Sequence, residues 1–189
     1  MLIDILSTKT VFSPKTVYYF DANVWVYIDS PSSSASNPVK SSAFASALSN
    51  ILITKECQIV ISPILISEYI NTRLRQYYSA YIKKSGISQA TYTFKQYRND
   101  ASSDYNKILS SVLNDIQKIL TISTIVPDIS DKTDTNNILS DSKLLNLDTN
   151  DSYISTLCKK NNYILITDDA DFDQTTLNII STNKKYLSK

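Results

Sequence analysis

Short apolar runs rich in β-formers recur along this chain, and longer segments with helical spacing separate them. Few folds accommodate that alternation. The strand-like runs are Val17–Phe20, Gln58–Ile61, Thr124–Val126, Tyr163–Thr167 and Leu177–Ser181. Helical spacing is read over Asn23–Ile28, Ser41–Ile53, Ile64 to about Lys84, Ser88–Ser123, Ile138–Leu145 and from Asp151 onward. Strands alternating with helices predict a three-layer α/β/α fold around a central, mostly parallel sheet of four to five strands. Ser62-Pro63 puts an N-cap serine and a first-turn proline at the head of the third helix. Thr149 or Asn150 is expected to cap the helix at Asp151, and Asn161-Asn162 to end it in a left-handed turn. Residues 1–16 read as an N-terminal extension broken at Ser13-Pro14, and Ser30–Pro38 as a polar loop. Residues 86–123 read as a helical insertion within a single domain spanning 1–189.

Three shortages narrow the chemistry. The chain has no histidine, which excludes Ser-His and Cys-His nucleophiles and His-ligated zinc. It has one glycine, Gly86, so it holds no glycine-rich phosphate loop. Cys57 and Cys158 are too few for a thiolate zinc site or a disulfide framework and read as buried free thiols. No apolar run is long enough to span a bilayer, and Met1–Leu6 lacks the basic start of a signal peptide. A cytoplasmic protein is expected, with no membrane partner. Carboxylates and hydroxyls are left to carry any chemistry.

The carboxylates fall where such chemistry would need them. Asp21 follows the first strand-like run, and Asp169 follows the run at Tyr163–Thr167. Glu68 sits early in the helix after Gln58–Ile61, and Asp151 opens the helix before Tyr163. In open α/β sheets functional groups collect at the carboxyl ends of strands. Acids gathered there repel one another unless divalent cations fill the space between them. Each acid alone also has an ordinary use: Asp21 and Asp151 as helix-start residues, Glu68 on a helix surface, and Asp168, Asp169 and Asp171 in a solvated turn.

The order Phe20-Asp21-Ala22-Asn23, Ser62-Pro63 with Glu68, Asp151-x-x-Ile154 and Thr167-Asp168-Asp169-Ala170-Asp171-Phe172 resembles the PIN-domain ribonucleases, VapC-like toxins among them. Asp151 and Asp169 are eighteen residues apart, and Thr167 stands two before the second acid, as in that family. The likeness covers roughly residues 17–85 and 124–181. It implies a metal-dependent endoribonuclease, the toxin of a toxin–antitoxin pair, with Asp21, Glu68, Asp151 and Asp169 holding one or two Mg²⁺ or Mn²⁺ ions. Asn23 and Thr167 would support them, with Asp148, Asp168 and Asp171 as neighbours. RNA substrate, an antitoxin partner and a homodimer come with the same resemblance. Two such ions supply all that phosphodiester hydrolysis requires without histidine. The alternatives are a silent PIN-like RNA-binding or protein-interaction module and a DNA-directed flap-type nuclease.

A net charge of +1 hides an uneven distribution, since no acid occurs between Tyr69 and Asn99. That stretch carries Arg73, Arg75, Lys83 and Lys84 among Tyr69, Tyr77 and further aromatics. Cations hold phosphates and aromatics stack on bases, so the segment is expected to bind RNA. A tyrosine-rich helix packed against a partner, with its lysines solvated, accounts for the same composition.

Overall fold

The computed structural model describes residues 2–5, 12–30, 36–129 and 131–187. Six parallel strands form one sheet: β1 (Leu2–Asp4), β2 (Val17–Phe20), β3 (Gln58–Ile61), β4 (Thr124–Ile125), β5 (Ile164–Ile166) and β6 (Ile179–Ser181). Their order is β1-β6-β5-β2-β3-β4. The helices are α1 (Ala22–Asp29), α2 (Pro38–Ile53), α3 (Pro63–Ser85), α4 (Phe94–Asn99), α5 (Tyr105–Ile122), α6 (Lys132–Leu144), α7 (Thr149–Asn161) and α8 (Lys184–Leu187), with a 3₁₀ turn at Asp171–Gln174.

The strand order explains the layers. From β2 the chain steps to β3 and then β4 in one direction, with α1 to α5 in the connections. It then returns through α6 and α7 to β5 on the other side of β2. Right-handed crossovers in opposite directions put their helices on opposite faces, which gives a three-layer α/β/α sandwich. Accordingly α1, α2, α3 and α5 pack on one another, and α6 packs on α7. β2 and β5 are neighbours whose connections diverge, so a crevice opens at their carboxyl ends. The strands are buried on both faces: Tyr18, Tyr19, Phe20, Val60, Ile61, Leu165 and Ile166 are all nearly inaccessible to solvent.

The sheet has six strands where four or five were expected. The additional strand is β1, taken from residues read as an extension; Leu2 pairs with Ile179 at the sheet edge. Its partner lies at the other end of the chain, and three residues carry no periodicity that would announce it. Pro38, expected in a loop, already begins α2, and residues 31–35 of that loop lie outside the described region. Two helices start earlier than their apolar residues suggested, for the same reason. Asp131 caps α6 by accepting from the Asp134 N–H at 2.7 Å, and Asp148 caps α7 by accepting from the Asp151 N–H at 2.8 Å. In both Asp-x-x-Asp sequences the first acid is the cap and the second lies in the first turn. Asn162 ends α7 with φ 55°, and Gly86 ends α3 with φ 66°. Cys158 is buried and Cys57 half-buried, both as free thiols. No helix among the described residues is long and apolar enough to cross a membrane.

Residues 86–123 supply α4 and α5. The Val112, Ile116 and Ile119 face of α5 is buried, and the helix packs along α3. Beyond it, Tyr78, Ile82 and Tyr97 form a small second core flanked by Tyr81, Tyr92, Phe94 and Tyr105. Their rings meet edge-on or tilted, and Tyr81 stacks on Tyr92, at centroid distances of 5.0–6.3 Å. The Tyr78, Tyr92 and Tyr97 hydroxyls donate to the Tyr92 carbonyl, Asp100 and Asp104 respectively.

Candidate metal centre at the carboxyl edge of the sheet

Register brings the first functional residues together. Phe20 pairs with Ile166, so Asp21 and Thr167 are level as the chain leaves β2 and β5. Asp21 stands at the N-cap position of α1 but makes no capping bond there. Its Oδ2 instead accepts from the Thr167 hydroxyl at 2.6 Å and from Asn23 Nδ2 at 2.7 Å. Thr167 Oγ1 in turn accepts from the Asp169 N–H at 2.9 Å, and Asn23 Oδ1 from the Asp168 N–H at 3.3 Å. Asn23 and Thr167 thus brace the ends of the two central strands against each other. At the neighbouring strand Ser62 is the N-cap of α3, yet its hydroxyl is bonded to Tyr19 at 2.7 Å rather than to the helix. That bond fixes the start of the helix that carries Glu68.

Around Asp21 the remaining acids converge. Asp151, Asp169 and Asp171 each offer an oxygen within 4.8 Å of the others. Asp169 also accepts from the Asp171 N–H at 2.9 Å, which shapes the turn after β5. Asp21 and Glu68 are not members of that triad, but their charges are felt throughout the cluster. Burial, then Asp148, Asp21, Asp169 and Glu68, push Asp151 up to about 8. Burial, then Asp21, Asp148 and Asp169, push Glu68 up to about 7. Asp21, 4% exposed, is pushed up to about 6 mainly by burial, against the bonds from Thr167 and Asn23. Within the cluster, the buried Glu68 Oε2 has no hydrogen-bond partner among the described residues.

A buried carboxylate oxygen without a donor, in a cluster whose members raise one another's proton affinity, is costly without a positive charge. The donors are all oxygen, which suits hard divalent ions such as Mg²⁺ or Mn²⁺ rather than zinc or copper. Asp21, Glu68, Asp151 and Asp169 therefore fit a cation, with Asp171 a closer neighbour of the ligand set than its sequence position implied. Asp148 contributes charge from the cap of α7.

Asp168 has a different use. Its carboxylate is engaged by Lys40 at 2.7 Å, by the Tyr27 hydroxyl at 3.2 Å and by the Thr182 hydroxyl. Its carbonyl accepts from Asn183 Nδ2 at 2.8 Å, while the Tyr186 hydroxyl donates to the Asp169 carbonyl. Asp168 anchors the turn, leaving Asp169 to face the cluster. Lys40, Thr182, Asn183 and Tyr186 had no signal in the sequence, because they meet this turn only through tertiary contacts.

The expected RNA-binding residues divide. Tyr69 and Arg73 are inside the protein, at 0% and 1% exposure, which removes both from any surface a nucleic acid could reach. Arg73 donates to the Tyr69 hydroxyl at 2.8 Å and the Tyr77 hydroxyl at 3.4 Å, and pairs with Asp115 at 3.5 Å. Tyr69 donates onward to Asp29 at 3.5 Å, so the network ties α1, α3 and α5. Asp29 is pushed up to about 6 because burial and Asp115 outweigh Arg73 and Lys118. The missed signal was periodicity: Leu65, Tyr69 and Arg73 are successive i, i+4 positions on one buried face of α3. Arg75, Lys83 and Lys84 are exposed.

A three-layer α/β/α protein with an oxygen-only cluster at the crevice between β2 and β5 is the class that these observations define. The PIN domain family model matches residues 18–177, and the chain belongs to the PIN domain family. Two solved structures share the fold. VapBC2 from Rickettsia felis, bound to a DNA fragment from its promoter, aligns with TM-score 0.52 and 16% identity over 89% of this chain and 98% of that one. PAE2754 from Pyrobaculum aerophilum aligns with TM-score 0.51 and 12% identity over 92% of this chain and 96% of that one. No curated protein sequence matches the chain.

Proposed function

We propose that this protein is a metal-dependent endoribonuclease, the toxin of a toxin–antitoxin pair, which hydrolyses RNA phosphodiester bonds at the Asp21, Glu68, Asp151 and Asp169 cluster. The observation that carries the reading is the unpartnered Glu68 Oε2, buried among carboxylates that repel it. A divalent ion bound there neutralises the phosphate, lowers the pKa of the attacking water and assists the leaving oxygen. Asp21 is held rigid by Thr167 and Asn23, so its position does not depend on the ligand. Glu68, carried on the first turns of α3, faces the crevice from β3, and Asp151 faces it from the start of α7. Asp169 closes the crevice from β5, its turn fixed by the anchored Asp168. In the same reading an antitoxin protein is a partner and the active species is a homodimer.

The test is cleavage of single-stranded RNA by the full chain with Mg²⁺ or Mn²⁺, with chelator, and with Asp21→Asn, alongside DNA of the same sequence. RNA should be cut only with metal, and Asp21→Asn should be slower by about 100-fold or more. RNA left intact in both metals, or cut equally well by Asp21→Asn, contradicts the reading. Preferential cutting of the DNA would move it to a DNA-directed nuclease.

A further inference from the structure

The acid cluster is a poor place for a phosphate chain to land, because its uncompensated charge is negative. A nuclease built this way needs cations elsewhere, and the structure sorts the cations into two groups. Most of those around the sheet are committed to acids: Lys40 to Asp168, Lys159 to Asp141, Lys160 to Asp131 and Asp134, and Lys185 to Asp173. On the helical satellite made by the outer part of α3 with α4, the pattern reverses. Arg75, Lys83, Lys84, Lys95 and Arg98 are all exposed, and none takes part in an ion pair among the described residues. Lys107 on α5, Lys132 and Lys143 on α6 and Lys184 on α8 are also exposed and unpaired among the described residues, but on separate elements.

These cations are held on a firm base. The tyrosines interleaved with them form the second core, which locks α4 against α3 and leaves the cations outside it. The Arg75 guanidinium lies 5.1 Å from the Phe94 ring centre and links the two helices at the surface. Glu68 and Arg75 are seven residues apart, so both lie on one face of α3, about 10 Å apart along its axis. The helix ends about 25 Å beyond Glu68. At the roughly 3.4 Å per nucleotide of a stacked duplex strand this reach corresponds to about three to seven nucleotides, and to fewer where the strand is more extended.

We propose that the basic satellite of Arg75, Lys83, Lys84, Lys95 and Arg98 holds the phosphate backbone of RNA flanking the bond placed at the acid cluster. The substrate class rests on the nuclease reading. The choice of RNA over an acidic protein rests on what is missing between the charges: Ile87, at 36% exposure, is the one large apolar side chain exposed between residues 75 and 107. Protein interfaces depend on buried aromatic and aliphatic anchors, whereas non-specific phosphate binding rests mainly on cations and needs no such anchor. Because the tyrosine rings are engaged in packing, binding here reads charge and spacing, not base identity.

The test is RNA affinity as a function of salt, measured by anisotropy on the full chain carrying Asp21→Asn so that substrate survives. A single-stranded RNA of about 15 nucleotides exceeds the reach of the satellite. Replacing all five cations by Gln should weaken binding about tenfold or more at 0.1 M salt and make the log–log salt slope shallower by about 3. Because Arg75 also packs on Phe94, Lys83→Gln/Lys84→Gln/Lys95→Gln is the second variant, with a slope shallower by about 2. Unchanged affinity and slope in that variant, with an unaltered unfolding temperature, would overturn the proposal. So would lost binding to an acidic protein partner with RNA binding retained. If wild type cuts no RNA while the satellite variants still lose RNA affinity, the nuclease reading fails and the satellite stands.

Discussion

Glu68 and Arg73 stand five residues apart on the same helix, and the protein treats their charges in opposite ways. Arg73 is sealed in with oxygen around its terminal nitrogens, from two tyrosine hydroxyls and Asp115, with Asp29 beyond Tyr69. Its buried Nε has no hydrogen-bond partner among the described residues, but its charge is matched. Glu68 is partly buried among Asp21, Asp148 and Asp169, with an oxygen that nothing satisfies. Where a charge serves the architecture, the fold supplies its counter-charge. At the carboxyl edge of β2 and β5 no ion pair among the described residues reaches Asp21, Glu68, Asp151 or Asp169. The difference marks the site more clearly than the acids alone do.

The largest expected effect breaks the compensated side. Arg73→Ala leaves Asp115 and Asp29 only the exposed Lys118 as counter-charge and should cost about 3 kcal/mol, read as a lower midpoint in urea unfolding. A surface arginine engaged with nucleic acid would change stability little, so a small effect would return Arg73 to the RNA-binding group.

The next effect sharpens the contrast through pH. Asp21, Glu68 and Asp151 titrate in the folded protein at about 6, 7 and 8, above their ordinary carboxylate values. Between about pH 4 and 8 the folded state then holds more protons than the unfolded state, so metal-free stability should fall across that range, most steeply between about pH 4 and 6. Asp29, raised to about 6, adds to the fall but lies in the Arg73 network. A saturating divalent ion should therefore remove the part of the slope above pH 6 and leave part of the fall below it. Thermal unfolding with chelator and with Mn²⁺ across pH 5–8 checks this; parallel curves would contradict it.

The smallest effect concerns the anchor. Lys40→Met removes a half-exposed partner of Asp168 and should cost about 1 kcal/mol. The response to Mn²⁺ should persist, because Asp168 braces the turn and does not supply the cluster. A lost response would make Asp168 a member of it.

Much of this arrangement was legible in the sequence, and what was not shares one physical cause. The strands at Val17–Phe20 and Gln58–Ile61 depend on local propensity and match the structure residue for residue. Ser62 and Pro63 take the N-cap and first helical positions, though the Ser62 hydroxyl bonds Tyr19 and not the helix. Asp21, Asp151 and Asp169 were legible because a carboxylate at a strand end or helix start has its location set by its neighbours in the chain. β1 was not, since its hydrogen bonds come from β6. Composition made Tyr69, Arg73, Arg75 and Lys83 look alike, and only the face each occupies on α3 separates the buried pair from the exposed one. Asp168 and Asp169, adjacent in sequence, take different roles because Lys40 and Thr182 reach only the first.

The central claim is that the carboxylates at the ends of β2 and β5 are left uncompensated for a divalent cation. Thermal unfolding at pH 8 with increasing Mn²⁺, on wild type and on Asp21→Asn, tests it most directly. At a hundredfold excess over its dissociation constant the ion should stabilise wild type by about 2.7 kcal/mol, roughly 5–10 °C. The midpoint of Asp21→Asn should shift far less. A wild-type midpoint that does not move, or equal shifts in both proteins, would contradict the account.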